Sequence, residues 1–162
     1  MLKKITLPNN TKISFFPLGI GTASLAGINM VNSKNYVKPS DQEVEDLINL
    51  SFKLLKKNRK EILMIDTSSQ YGESEERIGK YINKYPKKLQ NMFICTKWGL
   101  KFKNDDFSIQ DYSLENLNSS LKKSLGFLKK IDLFYIHTNP SVEKETLKKI
   151  MDKDSKIIKR LI

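Results

Sequence analysis

Four short apolar runs, LGIG, EILMID, MFICTK and IDLFYI, recur along the chain with longer stretches between them. Each is too short for a helix and too continuously apolar for a strand with one face in water. Such runs read as strands buried on both faces, the habit of a parallel sheet. Parallel neighbours cannot be joined by a tight turn. They need a crossover, usually a helix packed on the sheet. The intervening stretches meet that requirement.

The first crossover begins at Ser40, where SDQE puts Ser40 at the N-cap and Glu43 three residues on, a capping box. Val44, Leu47, Ile48, Ser51 and Leu55 follow at helical spacing. A second helix, SEERIGKYINKY, takes Ser74 as its N-cap with Ile78 and Ile82 on one face. A third is capped by Ser113, with Leu114, Leu117, Leu121, Leu125 and Leu128 as its stripe and Gly126 as a local weak point. A fourth, capped by Ser141, runs to about Met151. Before the first strand, KITLPNNTKISF reads as a hairpin turning at Pro8-Asn9-Asn10. The order is hairpin, then βα four times. A (β/α)₈ barrel takes about 250 residues, so 162 residues in this pattern make about half of one. The expectation is one domain over 1–162: a hairpin at 1–16, βα units over 17–152, and a tail at 153–162 that could begin another strand.

Composition narrows the function classes. The net charge of +11 invites a nucleic-acid reading, but the only arginines are Arg59, Arg77 and Arg160. Base readout favours the bidentate guanidinium, and single-strand binding wants aromatics interleaved with charge. Neither pattern is present, so the lysines read as solvated faces and nucleic acid is not the expected partner. No apolar run has the length of a membrane span, and the start has no apolar segment of the signal-peptide kind, which points to the cytoplasm. Cys95 is the single cysteine and reads as core.

Polar groups stand where these strands end. Asp66 closes the second, Tyr71 lies in the loop after it, Lys97 closes the third, and His137, the only histidine, closes the fourth. In a parallel barrel that rim is where chemistry is built. Period-two alternation puts Met64 and Asp66, Phe93, Cys95 and Lys97, and Leu133, Tyr135 and His137 on one side. Asp66 and Lys97 would then pair across adjacent strands, which keeps the lysine charged in a cleft. A cation beside Tyr71 would make its hydroxyl a better proton donor to a developing alkoxide, and His137 would hold a carbonyl oxygen. Each residue alone has an ordinary structural explanation; all of them on one rim do not.

These residues carry a resemblance. LGIGTA at 18–23, DTSSQYGESEERIG at 66–79, TKWG at 96–99 and SLENLNSSLKKSLGFLKKIDLFYIH at 113–137 are similar in order and spacing to the motifs of the aldo-keto reductases. Ser68 stands where that pattern usually has alanine. The resemblance implies a (β/α)₈ barrel that reduces aldehydes, ketones or sugars with NADPH or NADH and no metal. It implies Tyr71 as proton donor, Asp66 and Lys97 as its tuning pair and His137 as orienting group. Gly21 and Thr22, with Asp66, would line the nicotinamide end, and Ser24 and Trp98 would border the substrate. It covers the chain from the hairpin to about Pro140, whereas the family continues through four more βα units that grip most of the cofactor. The expected substrate is therefore a small carbonyl compound, and the expected partner a second copy or a separate chain completing the barrel. The alternative is a non-catalytic half-barrel remnant or interaction module.

Overall fold

In a computed structural model of the protein, residues 3–6, 12–26, 37–55, 62–104, 107–138 and 144–152 are described. Strands β1 (Lys3–Thr6), β2 (Lys12–Gly21), β3 (Ile62–Asp66), β4 (Met92–Trp98) and β7 (Leu133–Ile136) form one sheet in the order β1-β2-β3-β4-β7. β1 pairs antiparallel with β2; every other neighbour is parallel. The helices are α1 (Asp41–Leu55), α2 (Ser74–Lys84), α3 (Leu114–Leu128) and α4 (Lys144–Met151). This is an α/β fold with four parallel strands, consistent with half a (β/α)₈ barrel.

The hairpin and first strand are one element. β2 runs unbroken from Lys12 to Gly21, with a register shift between Phe15 and Gly19 against β3. Its first part pairs with β1 and its last part with β3, so a single strand serves two neighbours. The hairpin turn at Pro8-Asn9-Asn10, the loop over 27–36, the Ser141 cap and the tail at 153–162 lie outside the described residues. A second, two-stranded sheet, β5 (Leu100–Asn104) with β6 (Phe107–Gln110), was not anticipated. Its signal was present: apolar residues alternate at Leu100, Phe102, Phe107 and Ile109 around Asn104 and Asp105.

Helix α1 starts on its capping box. The Ser40 amide donates to the Glu43 carboxylate at 2.7 Å, and the Glu43 amide to Ser40 Oγ at 3.2 Å. The buried stripe is Val44, Ile48, Phe52 and Leu55; Leu47 faces solvent and Phe52 takes the inner place. At α2 the N-cap is Glu73, not Ser74. Ser74 is fully buried, and its hydroxyl donates to the Thr22 carbonyl at 2.9 Å, tying the end of β2 to the helix. Ser113 does cap α3, accepting from the Asn116 amide.

The buried side of α3 is not the leucine stripe alone. Leu114 and Leu125 are exposed, while Asn116, Leu117, Ser120, Ser124 and Leu128 face inward. Helices α2 and α3 approach so closely that a Cβ on Gly79 would stand 2.8 Å from the Phe127 carbonyl oxygen. Between them and β4 lies a buried carboxylate, Glu75, 2% exposed, which accepts from Thr96 Oγ1 at 2.6 Å and from Ser124 Oγ at 2.9 Å. Burial pushes the Glu75 carboxyl up despite those hydrogen bonds and the nearby Lys123 and Lys97 charges. The main core lies on this helix-covered side of the sheet and includes Leu63, Ile65, Met92 and Ile94.

Candidate active site

Register assembles the rim. Gly21 pairs with Asp66, Asp66 with Cys95, and Lys97 with Tyr135. Lys97 is thus two residues beyond Asp66's partner, on the same face, and its long side chain reaches back. Its Nζ donates to Asp66 Oδ1 at 2.5 Å and to the Thr67 carbonyl at 2.8 Å. The lysine is the more buried partner, with 14% of its side chain exposed against 37% for Asp66. An ammonium held by a carboxylate and a carbonyl is fixed in position as well as in charge.

Tyr71 is buried, 8% exposed, with its ring centroid 4.8 Å from the Lys97 Nζ. His137 meets the same ring edge-on, centroid to centroid 5.7 Å. The loop holding Tyr71 is braced from three sides. The Tyr71 amide donates to the Ser68 carbonyl, the Ser74 amide to the Tyr71 carbonyl, and Lys123 Nζ from α3 to the Ser69 carbonyl. His137 follows β7 directly, its amide donating to the Trp98 carbonyl. Burial, with the Lys97 charge adding to it, holds the His137 imidazole below its usual range, and Asp66 opposes this. Both burial and the lysine charge favour the neutral imidazole.

Asp66, Tyr71, Lys97 and His137 are all brought together. Thr22 is close by but turned inward: its amide and its Oγ1 both donate to the Asp66 carbonyl at 3.0 Å. Gly21 is exposed beside Asp66, with open space where a Cβ would stand, so the strand end presents bare backbone to the rim. Ser24 is exposed in the short 3₁₀ turn Ala23–Ala26 after β2. Trp98, expected beside the substrate, does not join these rim residues. It is 1% exposed and packs with Leu117 and Ile150 under α3 and α4, on the face opposite Lys97. One step along a strand reverses the side, so a residue following an inward Lys97 points outward.

Cys95 is fully buried beside Phe93, and burial pushes its thiol up to about 11. That thiol is core, not a nucleophile. Asp132 was not singled out in the sequence. Its carboxylate accepts from the Ile94 amide at 2.8 Å, just ahead of where β7 begins to pair with β4.

The sequence profile of the Aldo/keto reductase family matches residues 17–159. The chain belongs to that family. Solved structures agree. A putative aldo-keto reductase from Pseudomonas aeruginosa is 27% identical over 92% of this chain, with a TM-score of 0.67. An aldo-keto reductase from Bacillus halodurans, solved in its holo form, is 22% identical over 91% with a TM-score of 0.58, a likeness of fold. The glycerol dehydrogenase of Gluconobacter oxydans is likewise similar in fold, at 20% identity over 87% with a TM-score of 0.60. This chain covers 51%, 47% and 40% of those three, about half a relative's length. No curated protein matches the sequence. Membership supports an oxidoreductase in general terms. Among the described residues, no helix is long and apolar enough to cross a membrane.

Proposed function

We propose that this rim is the chemical centre of an NAD(P)H-dependent reduction of an aldehyde, ketone or sugar carbonyl to an alcohol. The observation that supports it is the convergence of Tyr71, the Lys97–Asp66 pair and His137 at the ends of three adjacent parallel strands. Such groups divide the work of carbonyl reduction. Neutral His137 donates a hydrogen bond to the carbonyl oxygen and orients it. Tyr71 gives its phenolic proton to that oxygen as charge develops there. Lys97 places a fixed positive charge at the Tyr71 ring, where it offsets the negative charge left after proton transfer. Asp66 and the Thr67 carbonyl keep that charge from swinging away.

The nicotinamide fits the same rim. Gly21 offers exposed backbone next to Asp66, with nothing among the described residues within 4 Å of its missing Cβ, which suits the close approach of a flat ring. When bound, the cofactor supplies the hydride that goes to the carbonyl carbon. Gly21, Thr22 and Asp66 would line its reactive end, and Ser24 would border the substrate.

The inner face of the sheet needs a cover for this chemistry, and a second copy or a separate chain completing the barrel would supply it. Residues 1–162 would then act as one domain of that assembly. Because the chain spans about half of its solved relatives, a second reading stands beside the first: a half-barrel without catalysis. One experiment separates them. Purified protein is mixed with NADPH and a panel of aldehydes, ketones and sugars, and NADPH oxidation is followed with the mass of the assembly measured on the same sample. Turnover that drops at least about a hundredfold in Tyr71→Phe, with an unchanged circular dichroism spectrum, is the expected result. Neither NADPH binding nor turnover at any oligomeric state would favour the non-catalytic reading.

A further inference from the structure

Ser68 is 1% exposed, and its hydroxyl oxygen lies 3.4 Å from His137 Nδ1. A serine hydroxyl carries one donor and two acceptor sites. The oxygen already accepts from the Gln70 amide at 3.2 Å. Its proton must go elsewhere, because a buried donor left without an acceptor is costly. Among the described residues His137 Nδ1 is the acceptor within reach. Were Nδ1 itself protonated, Ser68 Oγ would accept twice and its own proton would have no partner among the described residues.

We infer that Ser68 is a positioning residue: by donating its hydroxyl hydrogen to Nδ1, it fixes His137 in the tautomer whose N–H is at Nε2. The chain of cause is short. The Gln70 amide occupies one lone pair of Ser68 and orients the hydroxyl, and the hydroxyl orients the ring. The other ring nitrogen is thereby held as a donor, the form a carbonyl oxygen requires. Ser68 touches no reacting atom; it acts through His137. The functional meaning rests on the reduction proposed above, whereas the tautomer itself does not.

The test exploits the fact that His137 is the only histidine in the chain. Protein labelled with ¹⁵N-histidine gives one imidazole spin system, and two-bond ¹H–¹⁵N spectra at neutral pH identify which nitrogen bears the proton. The expected result is an Nε2–H ring whose pyridine-type Nδ1 signal is shielded by an accepted hydrogen bond. Ser68→Ala should move that signal back toward the free pyridine-type position. A wild-type ring protonated at Nδ1 overturns the inference without any variant. So does an Nδ1 signal that Ser68→Ala leaves in place while the rest of the spectrum shows the fold retained. The readout needs no turnover, so absence of reductase activity would sink the proposed function and leave this result standing.

Discussion

The two faces of the central sheet are finished differently. On the helix side, Leu63, Ile65, Met92, Ile94, Thr96 and Trp98 are each no more than 3% exposed, and even a carboxylate, Glu75, is sealed in with its partners. On the other side Phe93 and Cys95 are buried, but Ile62, Met64 and Tyr135 are only partly covered, and Leu133 is 38% exposed. The same strands supply both faces, one residue apart. The chain's own helices close the outer face. The inner face carries the rim side chains and is less completely covered by the described residues. A sheet with one such face, and with β7 at its edge among the described residues, is a surface that favours association.

That contrast is most directly broken by truncating one residue on each side. Ile94 is fully buried in the main core, so Ile94→Ala should cost about 2–5 kcal/mol in chemical denaturation. Met64, partly exposed on the inner face, should lose no more than about 1–2 kcal/mol on the same change, since less apolar area leaves water. Equal costs would mean the inner face is covered in solution. If a second copy provides the cover, the Met64→Ala penalty should also depend on protein concentration.

Rising and falling pH should probe the faces separately. Glu75 on the outer side has its folded carboxyl raised, so the folded protein holds that proton more tightly than the unfolded chain. Its contribution is fully present below the ordinary glutamate range and is lost as pH rises through the folded value. His137 on the inner side is depressed in the folded state. Its contribution is present above the unfolded value of about 6.5 and is lost as pH falls. Denaturation midpoints measured across pH should therefore lose, in Glu75→Gln, the decline that sets in as pH rises above the ordinary glutamate range, and keep the decline below about 6.5. A profile unchanged by Glu75→Gln would show that the buried carboxylate is not the group that limits stability there.

The sequence made one face more legible than the other. Apolar runs and alternation located the parallel strands, and the rim residues followed from parity: an inward Met64 requires an inward Asp66. The same rule, applied one step past Lys97, places Trp98 outward: nearness in the chain is not nearness in space. What stayed hidden was polar burial. Serines at 120 and 124 share the helical spacing of Leu117 and Leu128, but hydroxyls on a helix read as solvent-facing until a buried carboxylate opposite them is known. Glu75 and Ser124 are 49 residues apart and explain each other only when α2 and α3 meet. Ser68, in sequence a small departure from a family pattern, gains meaning only from the distance to His137.

The smallest effect tests whether the helix-covered side is complete up to its surface. Gly126 lies within α3 on the exposed flank, and a Cβ built there meets nothing within 4 Å. Glycine in a helix interior loses backbone entropy on folding that alanine does not. Gly126→Ala should therefore stabilise the protein by about 0.5–1 kcal/mol, read as a rise in the denaturation midpoint with an unchanged slope. A loss of stability instead would mean that this flank is in contact with another chain.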